Sequence, residues 1–236
     1  DSSKAFTLDY ARTDEELAAK AAVKALAAYD GVVFASTTGE AAAREAFVAD
    51  LLTEIRWAAA AGDFAEETFR TIFLGGGTPS LLEGDQMSRI LGGLHDSFAV
   101  APDAEVTMEA NPESLEPERL EAFLLGGGNR VSLGIQSLDD AALRLLDRAH
   151  DASLARRRAG ELSARGVSFS VDLLYGLPGL DTTAWGTTLD RALELGAGHL
   201  SAYLLTLEPG TPMHAAVAMG ELILPAEEEV RDQYEV

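Results

Sequence analysis

The chain has 236 residues, with 39 Asp+Glu against 18 Lys+Arg and no cysteine. Its length suits one large domain or two small ones, and 47% apolar with 24% charged residues is a globular composition. A formal charge of −21 excludes a general nucleic-acid binder, since no basic patch offsets the repulsion from phosphate; zero cysteines exclude disulfides, zinc–thiolate sites, thiol catalysis and iron–sulfur clusters held by the chain's own thiolates.

Taken in chain order, Asp1-Ser2-Ser3-Lys4 has neither the basic flank nor the apolar run of a signal peptide. No apolar stretch approaches the ~18 residues of a membrane span; the Ala-rich segment 18–28 is interrupted by Lys20 and Lys24. A cytoplasmic chain without a membrane span is expected. Residues 1–29 read as a separate N-terminal helical extension. Thr13 and Glu16 form its capping box, and Leu17, Ala21, Lys24/Ala25 and Ala28 trace a weakly apolar face. From residue 30, short apolar runs alternate with helical patterns. The runs are Val32–Ala35, Thr71–Leu74, Glu105–Glu109, Arg130–Gly134, Ser168–Tyr175 and His199–Leu205. Continuous or rich in β-branched residues, they suit parallel strands buried on both faces. Helices are predicted over 43–61, 84–98, 117–126, 139–165 (broken near 150) and 182–196, with Thr37/Glu40 and Ser80/Glu83 as capping pairs and Asp63/Glu66 as a pair capping a helix or only a turn. Beyond Thr206 the chain reads as a loop and an acidic tail over 207–236.

Strands alternating with helices predict an α/β fold with a parallel sheet. The repeat number falls below the ~eight of a closed barrel. An open (β/α)6 partial TIM-type barrel over 30–206 fits best, with a flat doubly wound sheet as the alternative. In either, ligands bind at the C-terminal ends of the strands. The polar residues at those exits are therefore the candidates. Gly75-Gly76-Gly77-Thr78 closes one strand; its glycines can present backbone N–H groups to a ligand, or simply form a tight turn. Glu109 closes the next, either accepting from hydroxyl or ammonium donors or pairing with a neighbouring basic side chain. Gln136 lies at the following exit. Asp172 sits among apolar neighbours in Val171–Tyr175, where a buried acid needs a partner or a ligand.

GGGTPS (75–80), EANPESL (109–115), RVSLGIQSLDD (130–140), DRAH (147–150), VDLLYGLPG (171–179) and HLSAYLLTLEPGTP (199–212) occur in that order. This set resembles the radical S-adenosylmethionine (SAM) enzymes of the oxygen-independent coproporphyrinogen III oxidase group, within it the HemW heme-chaperone branch. The resemblance spans roughly 44–236 and implies the same partial barrel. It implies SAM contacts at Gly76, Gly77, Thr78, Glu109, Gln136, Arg148 and Asp172, and a further one at Thr206, with heme or porphyrin as another ligand. The physical roles agree: backbone groups at 76–77 and the Thr78 hydroxyl suit a methionine ammonium or carboxylate, Glu109 suits ribose hydroxyls, and Arg148 can fork onto a carboxylate. Gln136 and Asp172 would serve a second SAM or the substrate region.

The family also implies a CxxxCxxC loop holding a [4Fe–4S] cluster. Here Val32-Val33-Phe34-Ala35 is followed by Ser36-Thr37-Thr38-Gly39 and a helix, so both the cysteines and most of the loop are missing. His95, His150, His199 and His214 have no spacing that would replace them; of these, only His150 is placed to face the site, unless it is simply a polar helix-end residue. No catalytic residue and no metal ligand is assigned, and the C-terminal part is expected to be truncated relative to the family. A small-molecule binder of SAM and heme or porphyrin is expected. The alternatives are a non-catalytic remnant serving as a structural or binding domain, and an unrelated barrel enzyme using the GGGT exit for an anion and Glu109 or Asp172 as base.

Overall fold

A computed structural model describes the backbone of Phe6–Leu8 and Gly31–Phe34 and the whole of residues 41–236. The chain divides into two compact units, Asp1–Ser132 and Leu133–Val236.

In the first unit, strands β1 (Phe6–Leu8), β2 (Gly31–Phe34), β3 (Thr68–Leu74) and β4 (Ala99–Ala110) are adjacent in chain order and parallel. Strand β1 was not foreseen; the predicted helical residues around Thr13 to Ala28, and the Thr37/Glu40 pair, lie outside the described residues. β4 starts earlier than Glu105, because Ala99 and Val100 already pair with Thr68 and Phe69 before the register shifts between Phe69 and Thr71. Pro102-Asp103 falls in that irregularity, which a proline without an N–H requires and which hides the strand's start from pattern reading.

Helices α1 (Ala41–Ala61), α2 (Gly84–Ser97) and α3 (Pro117–Leu125) accompany these strands. Phe47, Val48, Leu51, Ile55 and Ala58 recur at helical spacing and are the buried residues of α1. Met87, Ile90, Leu91 and Leu94 form the buried stripe of α2, and Leu120 and Phe123 that of α3. α2 packs against both of the other helices. Phe64, Phe69 and Phe98 form a cluster with centroids 5.5–6.4 Å apart, Phe98 edge-on to both of the others and Phe64 tilted on Phe69. The cap of α2 is not Ser80/Glu83: Ser80 lies in a 3-10 turn over Pro79–Leu81, and the N-cap is Glu83, whose N–H donates to Gln86 Oε1 at 3.0 Å. Asp63/Glu66 lies in a turn. The glycine run after α3 ends the helix. Gly127 (φ 97°) and Gly128 send their N–H groups back to Leu124 and Phe123, closing the helix with a Schellman motif.

The segment β5 (Arg130–Gln136) crosses from the first unit into the second, which continues with α4 (Asp140–Leu145), α5 (Ala152–Ala164), β6 (Ser168–Tyr175), α6 (Thr182–Leu193) and β7 (His199–Leu204). β6 and β7 are parallel, with Asp172 opposite Ser201. The side chains of Asp139, Asp151 and Asp181 accept from Ala142, Leu154 and Ala184 N–H groups and so start α4, α5 and α6. Leu133, Ile135, Val171, Leu173, Ala155, Ala159 and Leu162 are fully buried.

The acidic tail is structured. It contains α7 (Pro212–Ala218) and α8 (Glu227–Glu235), and Glu227-Glu228-Glu229 form the first turn of α8, where the helix dipole favours carboxylates. Glu229 Oε1 accepts from both the N–H (2.6 Å) and Oγ1 (2.7 Å) of Thr182, at the N-terminus of α6. The Thr182 hydroxyl and then its N–H, with a smaller contribution from Gln233, hold the Glu229 carboxyl below its ordinary value against desolvation and the Asp181 charge. A depressed carboxyl contributes stability above its unfolded pKa and loses it as pH falls through the folded one. Acidification through and below about pH 4.3 is therefore expected to loosen α8. Trp185 fluorescence in a Trp57→Phe background should report this transition, and Glu229→Gln should remove it.

Among the described residues no helix is long and apolar enough to cross a membrane.

Candidate functional site

In the first unit, the exits of β3 and β4 are built into each other. Gly76 (φ 78°) and Gly77 (φ 59°) turn the chain with positive φ, a conformation costly for any residue with a Cβ. The turn lets the Gly76 N–H donate to Glu109 Oε2 at 2.9 Å. Gly75 completes the fit: a Cβ there would stand 2.5 Å from the Phe73 ring and 3.1 Å from the Glu109 carboxyl carbon. Thus Gly76, Gly77 and Glu109, singled out from separate motifs, come together in one loop pair.

Residues that sequence reading did not single out hold this pair. Asn111 Nδ2 donates to the Thr78 hydroxyl at 3.4 Å, which places Thr78 beside the β4 exit. The Asn111 N–H approaches Ser80 Oγ (3.4 Å), Ser80 and Ser114 hydroxyls lie 2.6 Å apart, and Ser114 Oγ donates to Asn111 O (3.1 Å). One proton assignment satisfies all three: Ser80 donates to Ser114, Ser114 to the Asn111 carbonyl, and Asn111 N–H to Ser80. Ser80 and Ser114 are buried, so this ring replaces water. Their signal was present in GGGTPS and EANPESL, where the small hydroxyls beside the prolines drew less attention than Thr78 and Glu109.

The second unit holds Gln136, Arg148, Asp172 and Thr206. Gln136 ends β5 with φ 66°, and Ser137 N–H closes back onto Ile135 O at 2.8 Å, a γ-turn with a left-handed centre. For a glutamine such backbone costs about 1–3 kcal/mol. Arg148 follows α4 through another Schellman motif, with N–H bonds from Asp147 to Arg144 and from Arg148 to Leu143. Here Asp147, φ 52°, takes the place usually given to glycine. The Arg148 guanidinium is half-buried and takes part in none of the hydrogen bonds or ion pairs among the described residues. His150 is not a helix-end residue facing outward. It is 4% exposed, and its Nε2 lies 3.0 Å from Ile135 O, so that nitrogen carries the proton. Asp172 is half-buried within β6 between buried Val171 and Leu173. Thr206 is exposed and lies beyond the end of β7.

Downstream of Asp172, α8 clamps the β6 exit. Gln233, 1% exposed, accepts from Gly176 N–H at 2.9 Å, donates to Leu180 O at 2.7 Å, and its carbonyl accepts from Trp185 Nε1 at 2.8 Å. The Trp185 ring also packs on Tyr175, centroids 5.7 Å apart. Nothing in the local pattern around Gln233 marks it.

The residues do not fit a [4Fe–4S] cluster. The chain has no cysteine, and among the described residues no group of three or more His, Asp or Glu is placed to hold a metal.

The Radical SAM superfamily model matches residues 43–192. Among curated proteins, the chain is 41% identical over 187 residues to a heme chaperone HemW of Mycobacterium tuberculosis, covering 79% of this chain and 47% of that protein. It is 44% identical over 143 residues to a heme chaperone HemW of Escherichia coli, covering 60% of this chain and 38% of that one. The chain thus spans about half the length, or less, of the curated relatives it matches. Among solved structures it superposes on coproporphyrinogen III oxidase (HemN) of Escherichia coli with a TM-score of 0.74 at 27% identity, over 84% of this chain and 45% of that one. That likeness identifies the parallel α/β fold as the partial TIM-type barrel expected from the strand pattern. The chain belongs to the radical SAM superfamily, in its HemW and coproporphyrinogen III oxidase-like branch.

Proposed function

We propose that this chain is a SAM-binding domain of the HemW type that does not by itself perform radical cleavage. The observation that carries the reading is the Gly76–Glu109 pair, a carboxylate fixed at a strand exit by a glycine loop within the span of the family match. Glu109 retains a second oxygen for a ligand ammonium or hydroxyl, and Thr78, steadied by Asn111, adds a hydroxyl beside it. Arg148 would take the ligand carboxylate, and Gln136 and Asp172 would contact SAM or a second ligand. Thr206, exposed, would meet the ligand only at its edge. In the family a cluster supplies the electron that cleaves SAM; this chain has no thiolate to hold one. Heme or porphyrin is proposed as the second ligand class, on the strength of the relatives named heme chaperones.

Calorimetric titration tests the reading. Wild type should bind SAM, and Arg148→Ala should bind about tenfold or more weakly, the effect of losing a charge-assisted pair. Absence of heat in the wild type would remove the pocket. Anaerobic reconstitution with iron and sulfide should leave no cluster absorbance, and hemin titration should shift the Soret band if heme is bound.

A further inference from the structure

We infer that His150 is the positioning residue that holds Gln136 and Arg148 in register, through the bond of its Nε2 to the Ile135 carbonyl. Gln136 and Asp147 are the two non-glycine residues with positive φ among the described residues. Each immediately precedes or presents a candidate ligand side chain: Gln136 itself, and Arg148 after Asp147. The His150–Ile135 bond joins the two segments, since Ile135 precedes Gln136 and His150 lies just beyond Arg148. Ile135 O therefore accepts twice, from Ser137 N–H across the strained turn and from His150 Nε2. Both Ile135 and His150 are buried, so water cannot take over either bond. The neighbouring Asp140 carboxylate, which accepts from Ala152 N–H at 2.9 Å, pins the far side of the same loop. A left-handed glutamine survives only where its surroundings over-determine it, and this carbonyl is where they do.

The test compares two polar substitutions. The amide nitrogen of His150→Gln can occupy the place of Nε2 and keep the bond, whereas that of His150→Asn stands near the place of Nδ1 and cannot. Hydrogen exchange at the Ser137 amide should stay protected in wild type and His150→Gln and lose protection about tenfold or more in His150→Asn. The amides of Leu133 and Ile135 should remain protected in all three. Gln136→Gly, which adopts positive φ freely, should restore Ser137 protection in the His150→Asn background. Unchanged Ser137 exchange in His150→Asn would overturn the inference. So would equal loss along the whole of β5, because that is scaffold damage rather than positioning. The ligand half rests on the SAM reading, and SAM affinity should follow Ser137 protection across wild type, His150→Gln and His150→Asn, the three proteins that keep the Gln136 side chain. A wild type that binds no SAM sinks that reading alone, while the exchange data still decide the role of His150.

Discussion

Replacing Glu109 by alanine is expected to weaken SAM binding about a hundredfold or more, while Glu109→Gln should weaken it only about tenfold. The two variants separate what the carboxylate does. Its Oε2 accepts the Gly76 N–H, and this bond fixes the positive-φ glycine loop. Alanine removes the acceptor for that N–H and the charge together. Glutamine keeps an acceptor oxygen for Gly76 and loses only the negative charge that would face a ligand ammonium. Hydrogen bonds to charged groups contribute about 1.5–3 kcal/mol, against about 1 for neutral ones. Glu109→Gln should therefore weaken binding by about tenfold, and Glu109→Ala by about a hundredfold or more. Calorimetry gives both affinities, and thermal unfolding shows whether the fold survives. Equal, wild-type affinities would mean that Glu109 serves only the Gly76 turn.

How far the sequence disclosed this arrangement depends on the kind of signal each residue leaves. Buried parallel strands leave continuous apolar runs, and β6 was located from Ser168 to Tyr175 without error. The helix predicted over 43–61 was located nearly as well, as Ala41–Ala61. Strand-exit chemistry was legible because polarity is conspicuous at the end of an apolar run; Glu109 and Gln136 stood out for that reason. What escaped was long-range hydrogen bonding. The ring of Ser80, Asn111 and Ser114 joins residues more than thirty positions apart, 31 for Asn111 to Ser80 and 34 for Ser80 to Ser114. Gln233 reaches back 57 positions to Gly176. A glutamine in an acidic helix looks like surface, and only the docked partner reveals otherwise. His150 failed differently: its motif was noticed, but its role lies in a backbone carbonyl, which carries no side-chain identity to read.

The same distinction governs the C-terminal segment. As an acidic tail it would tolerate substitution, surface changes usually costing within about 0.5 kcal/mol. As α8 it should not. Gln233→Leu conserves approximate size but leaves the Gly176 N–H and the Leu180 carbonyl buried without this partner. Each of the two orphaned groups costs about 1–3 kcal/mol, so the substitution should destabilise the second unit by about 2–6 kcal/mol. Trp185 should become more mobile as well, since its Nε1 bond ends on the carbonyl of the same residue. The expected result is a lower unfolding midpoint with earlier proteolysis between Leu222 and Glu227. Glu235→Gln, on the same helix but exposed, should change neither. Because Tyr175 ends the strand that carries Asp172 and Gly176 follows it directly, loss of the clamp should also weaken any ligand contact made by Asp172. A Gln233→Leu protein with wild-type stability would show that α8 rests on the β6 exit without supporting it.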